Sequence, residues 1–319
     1  MHLIRYNSSV IDHARGGVVA IGNFDGLHKG HQLVISEARS VAEQLSKPFN
    51  VLTFRPHPRR FFRPNEKPFR LTPFRAKIRA ISDLGVDNII VCRFNNNLAN
   101  LSAKEFVEDI LIGDLEVSHV TVGHDFTFGN KRSGNPMVLK NKSLELDFGI
   151  TIVEPARDSN GNLFSSSAIR QYVSEGKMQE VAMQLGRTWE IEGRVIKGDQ
   201  RGRTIGFPTA NIELIEYIQP AKGVYSVRAG ILYDRTTKWF DGVANFGDRP
   251  TVEGARLLLE THLFDFEDDL YGKNLRVGLV DYLRPERKFE SFEALKDQIK
   301  LDCETARKNL AKKSLNRNQ

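Results

Sequence analysis

The stretch GVVAIGNFDGLHKGHQLVISEARSVAEQL, residues 17–45, joins a short apolar run to a glycine-containing loop and then to a helical pattern. The apolar run is bounded by glycines, which is typical of a buried strand. After His31 the apolar residues recur at the spacing of a helix. The loop leads into the N-terminus of that helix, where free N–H groups and the helix dipole favour anions. The stretch therefore predicts a strand–loop–helix unit that binds phosphate.

Strands and helices alternate through the N-terminal half of the chain. The runs PFNVLTF, DNIIVCRF and SHVTVG are typical of strands, whereas FRAKIRAISDLG and LSAKEFVEDIL are typical of helices. Ser102 and Glu105 have the spacing of a capping box at the start of the second helix. The alternation predicts an α/β fold with a doubly wound, Rossmann-like parallel sheet. Ligands of such sheets bind beyond the carboxyl ends of the strands, where GNFDGLHKGH and GHDFTFGNKRSGN both fall.

The pattern changes after about residue 186. Short runs rich in Val, Ile and aromatic residues follow, separated by Gly, Pro and Asp, and they include WEIEGRVI, GVYSVRAGILY and LRVGLVDYL. A long helical pattern then begins at Ser291. We expect an antiparallel β-barrel with a terminal helix. The predicted domains are residues 1–185 and 186–319.

Composition limits the classes of function. The chain has 319 residues, a formal net charge of +6 and two cysteines, Cys92 and Cys303, far apart in sequence. No apolar run reaches the roughly 18 residues that span a membrane, and the N-terminal stretch has no apolar core typical of a signal peptide. The thiols suit a reducing compartment. We therefore expect a cytoplasmic protein that has no membrane partner and is a monomer or weak homo-oligomer.

The positive charge raises the alternative of nucleic-acid binding. Some of the excess lies in the basic, polar C-terminal stretch, and other positive residues lie beside glycines, as in KGDQRGR. That placement suits the phosphates of a small nucleotide as well as those of a polymer. We do not expect nucleic acid to be a main partner.

His28 and His31 lie three residues apart in the first loop. Two imidazoles at a helix N-terminus can bind phosphate oxygens and stabilise charge that develops there. A zinc site would need further Cys, His or acidic ligands at suitable spacing. The loop matches neither a Walker A motif nor GxGxxG. A pair without function remains the alternative for the two histidines taken alone.

A second glycine-containing loop occurs in the C-terminal half, where Gly198, Gly202 and Gly206 recur at a spacing of four. Such a loop can bind anions through its backbone N–H groups, although turns between strands also explain glycines. FPTAN follows, with a hydroxyl at Thr209 and an amide at Asn211. Both are hard oxygen ligands that suit Mg²⁺ together with phosphate.

These motifs together resemble a known family. GNFDGLHKGH resembles the HxGH signature of the nucleotidyltransferase superfamily, and SSSAIR, residues 165–170, resembles the SSTxIR element of prokaryotic bifunctional riboflavin kinase/FAD synthetases. TFRPHP, DFTFG, PTAN, the NxGxxP pattern in ANFGDRP and ETHLFDF resemble further motifs of that family, in the same order. Two departures are Ala168, where a longer side chain is common, and His124 before the DF pair; Ser167 replaces the usual Thr.

For the N-terminal domain, the resemblance implies FMN adenylyltransferase activity, with His28 and His31 on the ATP phosphates and Arg170 neutralising the pyrophosphate. The flavin would contact Asp125, and the rings of Phe126 and Phe128 would stack on it. Each of these residues also has a simpler interpretation, as a turn cap, as core, or as a helix cap followed by a solvated arginine. The other implied contacts are Gly22, Phe24, Asp25, Gly30, Ser165 and Ser166 for ATP, and Pro56 for the flavin.

For the C-terminal domain, the resemblance implies riboflavin kinase activity with MgATP. Thr209 and Asn211 would hold Mg²⁺, and Glu260 would act as the base that accepts the proton of the riboflavin hydroxyl. Alternatively, Glu260 pairs with a surface Lys or Arg. The other implied contacts are Gly198, Gly202, Gly206 and Asn245 for ATP, and Arg249 for the flavin.

The implied chemistry is therefore two consecutive reactions, from riboflavin to FMN and then from FMN to FAD, with ATP used in both. One alternative is a kinase whose nucleotidyltransferase domain is degenerate and makes little FAD. Another is a regulator that binds flavin or RNA without turnover. The presence of Glu260 and Arg170, which binding alone would not need, favours an enzyme.

Overall fold

The computed structural model describes residues 1–6, 12–198, 202, 206–233, 236–251 and 254–315, of which residues 233, 249–251, 254–256 and 313–315 are described by their backbone alone. Its contacts divide the chain into two compact units. The first comprises Met1–Lys67 and Thr72–Ser166, and the second comprises Pro68–Leu71 and Ser167–Gln319. The predicted functional boundary at residue 185 stays a prediction.

The first unit contains the predicted parallel sheet. Within the described residues the sheet has six strands in the order β1-β4-β3-β2-β5-β6, and every neighbouring pair is parallel. The chain order reverses between β2 and β5, so these two strands flank the switch point at which such sheets bind ligands. The strands are β1 (His2–Arg5), β2 (Val18–Ile21), β3 (Phe49–Arg55), β4 (Asn88–Arg93), β5 (His119–Gly123) and β6 (Gly149–Val153).

Helices cover both faces of this sheet, which explains why its central strands are apolar throughout. One buried cluster includes Val34, Ile35 and Ala38 of α1 together with Ile81 of α3, and a second cluster covers the other face. The helices are α1 (Lys29–Leu45), α2 (Pro58–Phe62), α3 (Phe74–Ser82), α4 (Asn96–Asn100), α5 (Ala103–Glu105) and α6 (Pro136–Leu146).

The predicted helix at LSAKEFVEDIL differs from the expected α-helix after its first turn. Its capping box is confirmed, because Glu105 N donates to Ser102 Oγ at 3.1 Å and Ser102 N donates to Glu105 Oε2 at 2.7 Å. From Phe106 to Asp114 the helix is a π-helix, and Leu115 N donates to Ile110 O at 3.0 Å. The wider turn still buries Phe106, Val107, Ile110 and Leu111.

The second unit contains the predicted antiparallel sheet. Within the described residues it has six strands in the order β7-β12-β9-β10-β11-β8. A bridge between Ile196 and Asn211 connects the segment after β7 to β8, so the sheet curls like a barrel. The strands are β7 (Trp189–Arg194), β8 (Ala210–Glu213), β9 (Gly223–Tyr233), β10 (Thr236–Thr251), β11 (Gly254–Leu263) and β12 (Asn274–Arg284).

Helices α7 (Ser166–Ser174) and α8 (Met178–Leu185) precede this sheet, and their residues Ile169, Val173, Val181 and Leu185 are buried in its core. The predicted terminal helix is α9 (Phe292–Leu315). Its residues Ala306 and Leu310 are buried against the sheet. Among the described residues, Asp302 of α9 pairs with Arg284 at the end of β12, and Arg307 of α9 pairs with Asp265 in the turn after β11.

Candidate active sites

The first site is the loop that follows β2. Three of its residues adopt left-handed backbone conformations, with φ of 49° at Phe24, 86° at Gly26 and 48° at Leu27. The side chains of Phe24 and Leu27 are buried in the core. The loop is therefore anchored by two apolar side chains, and its remaining groups surround the N-terminus of α1.

His28 and His31 stand together at that N-terminus. His28 is the N-cap of α1, and its Nδ1 accepts a hydrogen bond from His31 N at 3.3 Å. Because Nδ1 accepts, the proton of the neutral ring is on Nε2, which can donate to a ligand oxygen. The two rings stack with centroids 3.6 Å apart, and Phe24 contacts the His31 ring edge-on. The predicted pair thus forms a single two-imidazole group at the positive end of a helix.

Two predicted glycines allow the rings to lie where they do. A Cβ at Gly30 would lie 3.2 Å from the His28 ring, and a Cβ at Gly22 would lie 2.9 Å from the Phe24 ring. Both separations are closer than ordinary van der Waals contact. The two glycines therefore leave space for the rings of His28 and Phe24 within the loop. Their predicted contact with ATP stays a prediction.

Asp25 stabilises the loop through hydrogen bonds. Its carboxylate is 4% exposed and accepts from Thr72 N at 3.0 Å, while Thr72 Oγ1 accepts from Gly26 N at 2.9 Å. Ser166 Oγ donates to the Asp25 carbonyl at 2.8 Å, and the Lys29 ammonium lies 5.5 Å from the centre of the Phe164 ring. The structure thus brings Ser166, near the start of the SSSAIR stretch, to the loop, and the predicted contacts of Ser165 and Ser166 with ATP stay predictions.

Lys77 is a residue of this site that the sequence analysis missed. It is 5% exposed, and its Nζ donates to Asn23 O at 3.0 Å and to Thr53 Oγ1 at 2.9 Å. It therefore ties the loop after β2 to the neighbouring strand β3. A lysine on an amphipathic helix usually lies on the solvated face, so no local signal in the sequence pointed to this position.

Arg170 belongs to the second unit. Its Nε donates to Phe69 O at 2.9 Å, and its guanidinium lies 5.5 Å from the centre of the Phe69 ring. Its predicted role at the pyrophosphate is untested by these contacts and stays a prediction.

The residues of the first unit that are predicted for the flavin follow the ends of β3 and β5, on either side of β2. Pro56 follows β3 and Asp125 follows β5, and the ends of parallel strands meet at one edge of the sheet. Phe126 is half-buried, and its ring stacks on that of Phe128 at 5.5 Å. Phe128 is only 7% exposed and belongs to the core. Phe126 is therefore the more exposed of the two rings, and the predicted contacts of both with the flavin stay predictions.

The second site lies in the barrel-like unit, at the PTAN stretch. A cavity of about 290 Å³ is lined by Thr209, Asn211 and Thr261, with the acidic residues Glu267, Asp268 and Asp269 at its border. Asn211 is 5% exposed, and its Oδ1 has no hydrogen-bond partner among the described residues. The same holds for the hydroxyl of Thr261, which the sequence analysis did not select. Buried oxygens of this kind are suited to a hard cation or to a donor on a ligand.

The sheet aligns three predicted residues. Glu260 of β11 lies opposite Asn211 of β8 on one side and opposite Asn245 of β10 on the other. Residues directly opposite each other share a face of the sheet, with Cβ atoms roughly 4.5–5.5 Å apart. Asn211, Glu260 and Asn245 therefore form a polar row across three strands, although about 50 residues separate the first two in sequence.

His262 supports the PTAN stretch from β11. Its Nδ1 donates to the Pro208 carbonyl at 2.9 Å, and its ring contacts those of Phe207 and Phe264 edge-on. Burial lowers the pKa of His262 below its ordinary value, which favours the neutral ring. The sequence motif contained this histidine, but its structural role depends on a contact 54 residues away.

The glycines of the second loop differ in their surroundings. A Cβ at Gly198 would lie 2.0 Å from Asn211 Nδ2, and a Cβ at Gly202 would lie 2.3 Å from Phe207 O, whereas Gly206 has a φ of 87°. Gly198 thus makes room for the Asn211 side chain. The intervening residues 199–201 and 203–205 and the Arg249 side chain lie outside the described residues, so the predicted roles of Gly202, Gly206 and Arg249 stay predictions.

In the described parts of the chain, no group of three or more His, Cys, Asp or Glu side chains could hold a metal ion by itself. No helix in the described ranges is long and apolar enough to cross a membrane.

Known protein families match the N-terminal and C-terminal parts of the chain separately. A family model described as FAD synthetase matches residues 10–168, and one described as riboflavin kinase matches residues 185–310. Among curated relatives, a protein of Haemophilus influenzae is 41% identical over 96% of this chain and 98% of its own length, and one of Escherichia coli K12 is 40% identical over 92% of each. Both are described as bifunctional riboflavin kinase/FMN adenylyltransferases.

A solved structure supports the fold over the whole length. It is described as a macrolide-efflux protein from Streptococcus pneumoniae, and it is 33% identical with a TM-score of 0.85 over 96% of this chain and 99% of that chain. The description concerns that protein, and the likeness confirms the architecture of both units.

Proposed function

The chain belongs to the family of bifunctional riboflavin kinase/FMN adenylyltransferases, and from this membership we propose how its residues divide two reactions. The protein phosphorylates riboflavin to FMN and then transfers AMP from ATP to FMN, which yields FAD and pyrophosphate. We assign adenylyl transfer to residues 1–185 and phosphorylation to residues 186–319.

In adenylyl transfer, an FMN phosphate oxygen attacks the α-phosphorus of ATP and pyrophosphate leaves. We assign to His28 and His31 the stabilisation of the negative charge that grows on these oxygens. The support is their position at the N-terminus of α1, where His28 Nε2–H and backbone N–H groups are donors for an anion. Arg170 is assigned to the leaving pyrophosphate on its motif alone. The direct displacement requires no covalent protein intermediate.

The flavin of FMN would lie beside the ends of β3 and β5. Phe126 would stack on the isoalloxazine ring, Phe128 would hold Phe126 in place, and Asp125 and Pro56 would flank the ring. Aromatic stacking of this kind contributes about 0.5–1.5 kcal/mol beyond the burial of area. In the same unit Asp25 and Lys77 would keep the loop in shape.

In phosphorylation, the 5′-hydroxyl of riboflavin attacks the γ-phosphorus of ATP. We assign to Glu260 the acceptance of the hydroxyl proton, which leaves as the O–P bond forms and the bond to ADP breaks. Its place in the row with Asn211 and Asn245 supports this assignment. The hydroxyl and the γ-phosphate must meet in line, so most of the rate gain would come from positioning.

Thr209 and Asn211 fit a magnesium ion. The fit rests on hard oxygen donors, one of which, Asn211 Oδ1, is buried without a hydrogen-bond partner in the described residues. When bound, Mg²⁺ would neutralise the phosphate charge of ATP. Gly198 would leave space for Asn211 to reach it. We further propose that the protein acts in the cytoplasm, where ATP is available, as a monomer or weak homo-oligomer, and that nucleic acid is not a partner.

The observation that carries the proposal is that each unit holds groups suited to one of the two reactions, the imidazole pair in one and the row around Glu260 in the other. A chromatographic time course with riboflavin, excess ATP and Mg²⁺ tests it. We expect FMN to appear first and then to convert to FAD. Accumulation of FMN without FAD would indicate a degenerate first site, and riboflavin binding without ATP consumption would indicate a regulator.

A further inference from the structure

Glu286 is a residue of the barrel-like unit that has no assigned role. It follows the end of β12, and its Oε1 accepts a hydrogen bond from Asn245 Nδ2 at 2.9 Å. Asn245 lies directly opposite Glu260 in the sheet. One side chain therefore separates Glu286 from the residue proposed to accept the proton of riboflavin.

The carboxylate of Glu286 occupies the space left by the missing side chain of Gly247 in β10. Gly247 lies two residues after Asn245 in β10 and therefore on the same face. A Cβ there would lie 2.0 Å from Glu286 Oε1 and 2.6 Å from Oε2. Gly247 does not adopt a left-handed conformation, so its backbone alone would accept alanine. A side chain at this position would overlap with the carboxylate of Glu286 and displace it.

Helix α9 fixes the segment that carries Glu286. Asp302 of α9 is 6% exposed and accepts from Arg284 Nε at 2.9 Å and from Arg284 Nη2 at 2.6 Å. Arg284 Nη1 donates to the Pro285 carbonyl at 3.0 Å. Glu286 is thus attached to a peptide unit that a partly buried ion pair holds in position.

We propose that Glu286 is a positioning residue of the kinase reaction, which sets the orientation of the Asn245 amide beside Glu260. An ionised carboxylate only accepts hydrogen bonds, so it selects the orientation in which Nδ2 faces Glu286 and prevents the amide from flipping. Asn245 Oδ1 is then fixed as an acceptor for a substrate hydroxyl. The inference rests on the proposed function, in which Glu260 faces the reacting hydroxyl.

A hydroxyl of this kind occurs on both substrates, on the ribityl chain of riboflavin and on the ribose of ATP. The Michaelis constants distinguish them. In a Glu286→Ala variant of the full chain, the KM of the substrate that binds Asn245 rises, and kcat/KM for that substrate falls about 10- to 100-fold. FAD formation from supplied FMN stays at the wild-type rate, which shows that the parallel-sheet unit is folded.

Three further variants separate positioning from a general loss of structure. Glu286→Gln keeps most of the activity, because its amide oxygen can still accept from Asn245. Gly247→Ala displaces the carboxylate and reproduces the effect of Glu286→Ala. In an Asn245→Ala background, Glu286→Ala causes no further loss, since the group that it orients is gone.

The role of α9 is tested by a matched pair of variants. Asp302→Asn weakens the ion pair with Arg284 and lowers kinase kcat/KM a few-fold, whereas Asp265→Asn, which breaks the ion pair with Arg307 of the same helix, leaves it unchanged. Unchanged KM values for both substrates in Glu286→Ala, or a full additional loss in the Asn245→Ala background, would overturn the inference. A wild-type chain that forms no FMN would instead refute the proposed function itself.

Discussion

In the parallel-sheet unit, the imidazole pair proposed for adenylyl transfer comes from one continuous stretch, residues 22–31, whereas in the barrel-like unit the groups proposed for phosphorylation come from three strands. His28 and His31 are brought together by one turn of helix. Asn211, Glu260 and Asn245 are brought together by strand register. The first arrangement depends on local geometry and the second on pairing between distant segments, so the two sites should respond differently to substitution.

The largest effect is expected at the centre of the strand-built site. Glu260→Gln should lower FMN formation from riboflavin by about 10²–10⁴-fold, because the amide cannot accept the hydroxyl proton. FAD formation from supplied FMN should stay near the wild-type rate. Initial rates of both reactions, measured by chromatography, check this. Glu190→Gln is the matched control, since Glu190 is paired with Arg276 elsewhere in the same sheet; equal losses in the two variants would contradict the assignment of Glu260.

The reciprocal effect is expected at the helix-built site. His28→Ala combined with His31→Ala should lower FAD formation about 10²–10³-fold, because donors to the developing charge are lost. FMN formation from riboflavin should be unaffected. The control is His2→Ala combined with His13→Ala, which removes another stacked histidine pair of the same unit, with ring centroids 5.0 Å apart. FAD formation that survives in the first double variant would remove these histidines from the mechanism.

A smaller effect should distinguish the glycines of the two sites. A Cβ at Gly198 would overlap the Asn211 amide at 2.0 Å, whereas a Cβ at Gly30 would meet the His28 ring at 3.2 Å. Gly198→Ala should therefore raise the KM of MgATP in phosphorylation by roughly tenfold, since Asn211 must move. Gly30→Ala should change adenylyl transfer only a few-fold. Steady-state kinetics of each reaction would compare the two variants. A larger loss of activity in Gly30→Ala than in Gly198→Ala would contradict the prediction.

The smallest effect concerns stability and pH. Burial lowers the pKa of His119 in the first unit and of His262 in the second. The unfolded chain therefore takes up protons at a higher pH than the folded chain does. The free energy of unfolding is at its full value above about pH 6.5 and decreases as the pH falls toward the pKa values of the folded state. Between pH 7.5 and 5.5 the unfolding temperature of each unit should fall by roughly one to three degrees from this cause.

Scanning calorimetry of the His119→Asn and His262→Asn variants would separate the two contributions. Each variant should have a weaker pH dependence in its own unit and an unchanged one in the other. A steeper fall in stability with acid in either variant would show that the sign is wrong.

Much of the first site was readable from sequence, because its strand, its loop and its helix are consecutive. The start of α1, the pairing of His28 with His31 and the capping box at Ser102 all follow from spacings of three residues. The sequence did not reveal that Lys77 would be buried beneath the loop. The sequence also left open whether Phe128 is a core residue or faces a ligand. Its ring is buried in the core, so little of it is exposed to a ligand.

The sequence by itself determined the types of the elements, the alternation that makes the first sheet parallel and the motifs that carry the chemistry, because periodicity, capping and turn residues act over short distances. Only the tertiary structure decided that Asn211, Glu260 and Asn245 share a row, that His262 holds Pro208 and that Glu286 reaches Asn245 over the gap left by Gly247. Strand register sets these contacts, and a slip of one residue would move every side chain of a strand to the opposite face. Register is decided by the packing of all six strands together, which no local stretch of the chain contains.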